Sequence, residues 1–428
     1  MADPNVLGRM RADWNERARE DAHYYVAFGR RGQDDAEFFA SAAPTVRVLE
    51  MELRRLEGCA AALEIGCGPG RLIKPMSRYF ETIHGVDVSD EMIRLAREKL
   101  AGIANAHVHA TSGADLSLFA DNTFDFVYSY AVFQHIPSGE VVFRYLEEAR
   151  RVLRPAGILR CQINGLPQTA ARYTTWEGVR LSAAEVAAFA REHDLQLLAL
   201  EGVLTQYMWV TLRKRPEGWS RGLAWQPHSA RLRNLSNAET GEAAAPASGP
   251  LAALSLSIED LPAGADLNSL EVRVDGHPAR LTYLGHPAAD GVCQLNATLP
   301  EALRTGLLPV EVRWLGRPLC ECPWMRLIPP GPAVPLLWAV TDGVNLLAHN
   351  RTASGTFKAV VAELEHPGEF AATLGEAPVT EVDAFCSDPL SRRYEFNFHV
   401  PPGTAPGSHE LTLRIGRRVL ARMPVEVA

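Results

Sequence analysis

Ten residues, Leu63-Glu64-Ile65-Gly66-Cys67-Gly68-Pro69-Gly70-Arg71-Leu72, carry the strongest chemical signal in the sequence. Alternate glycines let a backbone pass close to a ligand, and the helix start that follows offers unpaired amide N–H groups. Such a loop suits a nucleotide, and alone it leaves a dinucleotide in play. Two acids narrow the choice. Glu64, just before the loop, would repel a pyrophosphate but suits a cation. Asp87 lies 87 − 70 = 17 residues past the last glycine, at the end of the next apolar run, where it can accept both hydroxyls of a ribose. The glycines are spaced two and two, unlike the two-then-three of a dinucleotide fingerprint. Together these features predict a cationic, ribose-bearing ligand.

A second group follows the fourth expected strand, in Tyr130-Ala131-Val132-Phe133-Gln134-His135-Ile136-Pro137. His135 has a near-neutral intrinsic pKa and is placed either to act as a base or to shape the loop. Around it, Trp14, Tyr24 and Tyr25 on the first helix, Gln134, Asn164, Tyr173 and Trp176, and Tyr207 and Trp209 on the last strand could form an acceptor pocket. Each aromatic ring serves either to stack on a planar ring or sugar face or to pack a core.

The elements that must position these groups alternate strand and helix. Helices are expected over residues 9–31, 34–57, 72–79, 89–100, 139–153 and 182–193, the last opened by the capping box Ser182-Ala183-Ala184-Glu185. Strands are expected over 61–65, 82–86, 106–110, 124–129, 158–163, 195–200 and 206–213. That alternation predicts an α/β fold with a sheet covered on both faces. Beyond Arg215 the texture becomes short strands and turns. Asp275-Gly276 marks a hairpin. Leu299-Pro300 with Gly306 recurs as Val400-Pro401 with Gly407, an offset of 101 residues, which fits two tandem β-sandwich domains. The expected division is a helical cap over 1–57, the ligand-binding domain over 58–215, a linker over 216–246, and β-domains over 247–329 and 330–428.

With 47% hydrophobic and 22% charged residues, the composition is that of a globular protein, and a net charge of −8 without a basic stripe argues against nucleic acid. No apolar run is long enough to span a bilayer, and the start of the sequence has no apolar leader, so a cytoplasmic protein is expected. Seven cysteines without a Cys-x-x-Cys pair predict reduced thiols and no metal.

The loop, the ribose-binding Gly85-Val86-Asp87-Val88-Ser89, the strand Asn122-Thr123-Phe124-Asp125-Phe126-Val127-Tyr128-Ser129 and the turn Arg154-Pro155-Ala156-Gly157 resemble class I S-adenosylmethionine-dependent methyltransferases of the type 11/25-like group. The resemblance covers roughly residues 60–213. It implies a Rossmann-like seven-stranded domain and S-adenosyl-L-methionine as cofactor. It also implies a cofactor site of Glu64, Gly66, Cys67, Gly68, Gly70, Asp87, Val88, Met92, Ala114, Asp115, Ser129 and Tyr130. Where the family often has an acid for the adenine amino group this sequence has Gly113, so Asp115 or backbone groups are expected to take that contact. Leu270–Gly276 and Tyr283–Gly285 resemble immunoglobulin-like modules of the kind appended to acidobacterial proteins. The activity implied is methyl transfer to a small-molecule or glycan acceptor, at a hydroxyl or, alternatively, at carbon, nitrogen or sulfur. A non-catalytic binding protein on the same scaffold is the other reading. The β-domains would present such a substrate or mediate a homodimer.

Overall fold

The computed structural model describes residues 4–27, 31–301, 303–331, 334–344, 348–388 and 391–428. The chain divides into two compact units: residues up to Glu20 with Phe39–Pro330, and Asp21–Phe38 with Gly331–Ala428.

In the first unit, β1 (Ala61–Ile65), β2 (Thr82–Asp87), β3 (Ala106–Ala110), β4 (Phe124–Ser129), β5 (Leu153–Ile163), β6 (Leu195–Glu201) and β7 (Met208–Lys214) form a sheet of order β3-β2-β1-β4-β5-β7-β6. The first five are mutually parallel, and β7 runs antiparallel between β5 and β6. β1 and β4 are buried along their whole length, as a sheet covered on both faces requires. Ala62, Phe126 and Ile158 pack with Leu49 of α3 (Ala43–Leu53), Met76 of α4 (Ile73–Met76) and Ile93 of α5 (Asp90–Lys99). Leu63, Val127 and Leu159 face the other way, toward α6 (Gly139–Val152) and α7 (Ala183–Glu192). Met10 of the N-terminal helix α1 (Pro4–Ala27) joins that second face.

The expected helix over 34–57 is two helices, α2 (Asp35–Ala40) and α3. Pro44 at the start of α3 has no N–H to carry a helix through from α2, so it begins a new one. α1 is also broken: Asp21 takes an extended conformation (φ −166°, ψ 89°), and the division between the two units falls there.

The segment expected as a linker contains two strands. Arg231–Asn237 pairs antiparallel with Ala253–Glu259, and Ala244–Pro246 pairs parallel with Trp324–Ile328. Neither has a sustained apolar period, because only isolated side chains such as Ala245 turn inward and pairing is supplied by neighbours distant in sequence. The remaining sheets of this region are antiparallel. At the hairpin joining Leu270–Val274 to His277–Leu284, Asp275 and Gly276 both have positive φ (51° and 82°), the signature of a type I′ turn.

These strands and the α/β sheet share one core. Tyr283 pairs with Ala199, so the sheet runs on past β6, and Leu267 N–H donates to the Leu197 carbonyl at 2.9 Å. Asp266 accepts from Leu197 N–H at 3.2 Å, and Gln196 donates to the Ala265 carbonyl at 2.8 Å. On the α3 face, buried Glu52 takes Arg55 Nε at 2.6 Å, while Arg160 bonds Thr211 and Glu201 and Arg55 reaches the Leu284 carbonyl at 2.7 Å.

The second unit holds a four-stranded and a five-stranded sheet around Phe357, Phe396, Phe398, Leu411 and Leu413. The repeat noted in the sequence appears as equivalent strands, Gly306–Trp314 in the first unit and Gly407–Ile415 in the second, starting 407 − 306 = 101 residues apart. Both begin at a glycine of positive φ, and both end at a turn whose glycine, Gly316 or Gly416, has positive φ.

Candidate cofactor and acceptor site

β1 delivers Glu64 to the loop already buried, and its neighbour across the sheet is Tyr128 of β4. The Tyr128 hydroxyl donates to the Glu64 carboxylate at 3.1 Å. Burial is the main cause that raises the Glu64 pKa to about 8, with the Tyr128 bond and nearby Arg71 opposing it. Gly66, Gly68 and Gly70 have φ of +75°, +50° and +88°. Gly66 also meets Val132, whose Cγ2 would lie 2.3 Å from an added Cβ, so the loop and the segment after β4 are in contact.

Asp87 ends β2. Its carboxylate accepts from Gly68 N–H and Ser89 N–H, both at 2.9 Å, which fixes it beside the glycine loop. Burial raises its pKa to about 6 against those bonds. Ser89 caps α5 by accepting from Met92 N–H at 3.1 Å, and its hydroxyl donates to Asn15 of α1 at 2.7 Å. Cys67 is buried, and the lack of solvation pushes its thiol well above the usual range. Gly85 sits under it, since an added Cβ would lie 2.8 Å from the Cys67 side chain. Val88 packs on Gly113, Ala114 is buried, and the Ser129 hydroxyl donates to the Ile65 carbonyl at 2.9 Å, tying β4 to β1. Asp115 is engaged locally by Ser112 and Ser117 at 2.5 Å each, the bonds of a turn.

His135 is buried between Trp14 and Trp176, with ring centroids at 5.5 and 5.4 Å. Its Nδ1 lies 2.7 Å from the Trp176 carbonyl, which can only accept, so Nδ1 carries the proton. Nε2 is then the acceptor and faces Gln134 Nε2 at 3.4 Å. Burial lowers the His135 pKa to about 4 despite the Trp176 bond, so the ring is neutral at physiological pH. The Arg17 guanidinium lies 4.7 Å from the Trp14 ring centre and 5.3 Å from that of Trp176, and it bonds Thr175 Oγ1 at 3.1 Å. Thr175 donates in turn to Asp13 at 2.5 Å. α1 therefore crosses from Ser89, beside Asp87, to the loop carrying Trp176.

The other expected acceptor residues make contacts of their own. Tyr24 and Tyr25 follow the break at Asp21 and belong to the second unit, where the Tyr24 hydroxyl donates to the Val344 carbonyl at 3.3 Å. Asn164 braces its own loop, accepting from Leu166 N–H and donating to the Glu177 carbonyl. The Tyr173 hydroxyl accepts from Thr169 and Ala170 N–H groups, another local turn. Tyr207 is exposed on the turn before β7. Trp209 stacks on Tyr130 at 5.7 Å. Sequence reasoning passed over Asp13, Asn15, Arg17, Arg71, Tyr128 and Thr175. The signal for Arg71 was its place directly after the third glycine; Tyr128 follows from register with Glu64, which needs the sheet.

A family model for a methyltransferase domain matches residues 63–161, the span from β1 to β5. Residues 63–161 are a methyltransferase domain. It is of class I and dependent on S-adenosylmethionine, and the donor set fits that cofactor: a buried acid and a buried guanidinium flank the glycine loop, and an aspartate ends β2. Over 161 residues the chain is 26% identical to phosphoethanolamine N-methyltransferase 2 of Caenorhabditis elegans, covering 36% of each chain. It is also 26% identical over 161 residues to a ubiquinone biosynthesis O-methyltransferase of Xanthomonas oryzae pv. oryzae, covering 34% of this chain and 66% of that one. The chain thus spans about a third to two thirds of the length of these relatives. Among solved structures, a Haemonchus contortus phosphoethanolamine N-methyltransferase 1, in complex with phosphoethanolamine and S-adenosylhomocysteine, aligns with a TM-score of 0.38 and 12% identity over 53% of this chain and 52% of that one. The strands beyond residue 214 lie outside the matched family segment.

Proposed function

We propose that the chain moves a methyl group from S-adenosylmethionine to the hydroxyl of a small molecule, or of a glycan, with a flat face. The observation that carries this reading is the course of α1, which links the Asp87–Ser89 turn, through Asn15, to the Trp14–His135–Trp176 cluster next to it in sequence. The cofactor supplies an activated methyl, so the protein's task is placement. On this reading Glu64 takes the ammonium of the cofactor, Asp87 the ribose, and Val88, Met92 and Ala114 wall the adenine. The acceptor rests against the outer side of the Trp14–His135–Trp176 cluster, since His135 fills the space between the two rings. Neutral His135 fixes the cluster through its Nδ1 bond to the Trp176 carbonyl, and a pKa this low suits an acceptor hydroxyl that is itself readily ionised.

A second reading, transfer to an amine, is favoured by the same weakness of His135 as a base and by the N-methyltransferase among the relatives. Calorimetry with S-adenosylmethionine and an Asp87→Ala variant tests the cofactor assignment; no binding by the natural chain refutes it. Labelled cofactor incubated with separate phenol, sugar and amine panels then decides the acceptor. Label in amines alone overturns the hydroxyl reading.

A further inference from the structure

Three histidines share one face at the edge of the α/β sheet. β3 is the edge strand, and His84 of β2 pairs in register with His107 of β3. In the run His107-Val108-His109, Val108 is buried against the core it shares with Ile93 and Leu100. His107 and His109, two residues apart on a strand, therefore project together on the opposite face. There the His84 ring lies 5.1 Å from that of His107 and 5.6 Å from that of His109. Phe119 and Phe124 hold the His84 ring edge-on at 5.3 and 5.7 Å, and Phe119 meets His109 at 5.9 Å.

The nitrogens that converge are His84 Nδ1 and His109 Nε2, 3.3 Å apart. Two nitrogens on one tetrahedral zinc, each at about 2.0–2.1 Å, stand about 3.3–3.4 Å from one another. The far nitrogen of His84, Nε2, faces Thr82 Oγ1 at 3.4 Å, an outer partner of the kind that fixes a metal-binding imidazole. Burial lowers the His84 pKa to about 4, helped by His107 and His109, and burial lowers that of His109 as well, so both rings are neutral at physiological pH. In the hydrogen-bonded pair one nitrogen donates to the other. Moving that proton to the far nitrogen of its own ring frees both lone pairs, so coordination needs no net deprotonation.

We propose that His84 Nδ1 and His109 Nε2 form a two-imidazole site for a borderline divalent ion, zinc first, which fastens the edge strand β3 to β2. Imidazole donors suit zinc, copper and nickel rather than calcium or magnesium. Among the described residues no three acids, cysteines or histidines meet as a complete cage, so solvent completes the tetrahedron. The site is independent of the cofactor assignment.

The test is calorimetry of Zn²⁺ binding to the full chain, reduced and stripped of metal, for the natural protein, His84→Gln, His109→Gln and, as a control in the second unit, His409→Gln. Thermal unfolding verifies that each variant is folded. Disturbing even an outer partner of a metal-binding histidine costs roughly tenfold in affinity, so losing either ligand should weaken zinc by at least that factor. His409→Gln should leave binding unchanged. No zinc binding by the natural chain overturns the proposal, as does an affinity unchanged in either His84→Gln or His109→Gln, or an equal loss in His409→Gln. X-ray absorption of the zinc-loaded natural protein needs no variant to fold. It should show imidazole nitrogens at about 2.0–2.1 Å, whereas sulfur at about 2.3 Å would place the ion on the free cysteines and refute the site.

Discussion

If Glu64 receives the ammonium of the cofactor, binding must be coupled to a proton. With a pKa of about 8 in the free protein, Glu64 is ionised in only about a tenth of the molecules at pH 7. Ionising it for the ligand costs about 1.4 kcal/mol at pH 7 and about 2.8 kcal/mol at pH 6. Affinity should therefore rise roughly tenfold per pH unit between about pH 6 and 7.5. Above about pH 8 the ligand's own α-amino group begins to lose its charge, so affinity should pass through a maximum near there. Asp87, at about 6, adds a second step on the acid side, because ribose hydroxyls donate to its ionised form. Calorimetry at pH 7 in buffers of different ionisation heat should count close to 0.9 protons released per ligand bound, from the ionised fraction just given. Glu64→Gln should bind more weakly and release about 0.9 fewer protons at that pH. A flat affinity from about pH 6 to 7.5 with no proton release would refute the coupling.

The same shift acts on stability. A carboxyl whose folded pKa lies above its unfolded value contributes stability present below the unfolded pKa and lost as pH rises through the folded one. The contribution of Glu64 to stability should thus fall between about pH 5 and 8, read as the change with pH in the melting-temperature difference between the ligand-free natural protein and Glu64→Gln. Asp266→Ala should destabilise the first unit by about 2–4 kcal/mol in denaturant unfolding, because the N–H groups of Leu197, Asn268 and Ser269 lose their acceptor. Ser182→Ala removes one half of a capping box and should cost about 1 kcal/mol in the same assay. The pH–rate profile should carry no limb from His135 above about pH 5.5, since its pKa is about 4; His135→Asn should lower the rate without changing the profile's shape there.

Much of the α/β domain was legible because its signals are local. The strands of β1, β3 and β4 appear with the expected limits, since a parallel sheet writes itself as short apolar runs bounded by turns. The hairpin at Asp275-Gly276 was equally plain, as few other dipeptides tolerate two positive φ angles. The strand Arg231–Asn237 was not, because its partners are fixed by tertiary contacts and its own side chains show no clean alternation. Nor could spacing tell that α1 breaks at Asp21 and places Tyr24 and Tyr25 in a different unit from Trp14.

By itself the sequence determined that a glycine loop lies between Glu64 and Asp87, because the loop's conformation and charges are properties of residues adjacent in the chain. Tertiary structure alone decided what those charges are worth. Burial against the sheet holds Glu64 near pKa 8, leaves Arg71 Nε without a hydrogen-bond partner among the described residues and keeps His135 neutral between two tryptophans. Solvation depends on what packs around a group: for Glu64 and His135 that packing comes from β4, α1 and the loop around Trp176, and for Arg71 from Ser41 and Tyr130, brought together only by the fold.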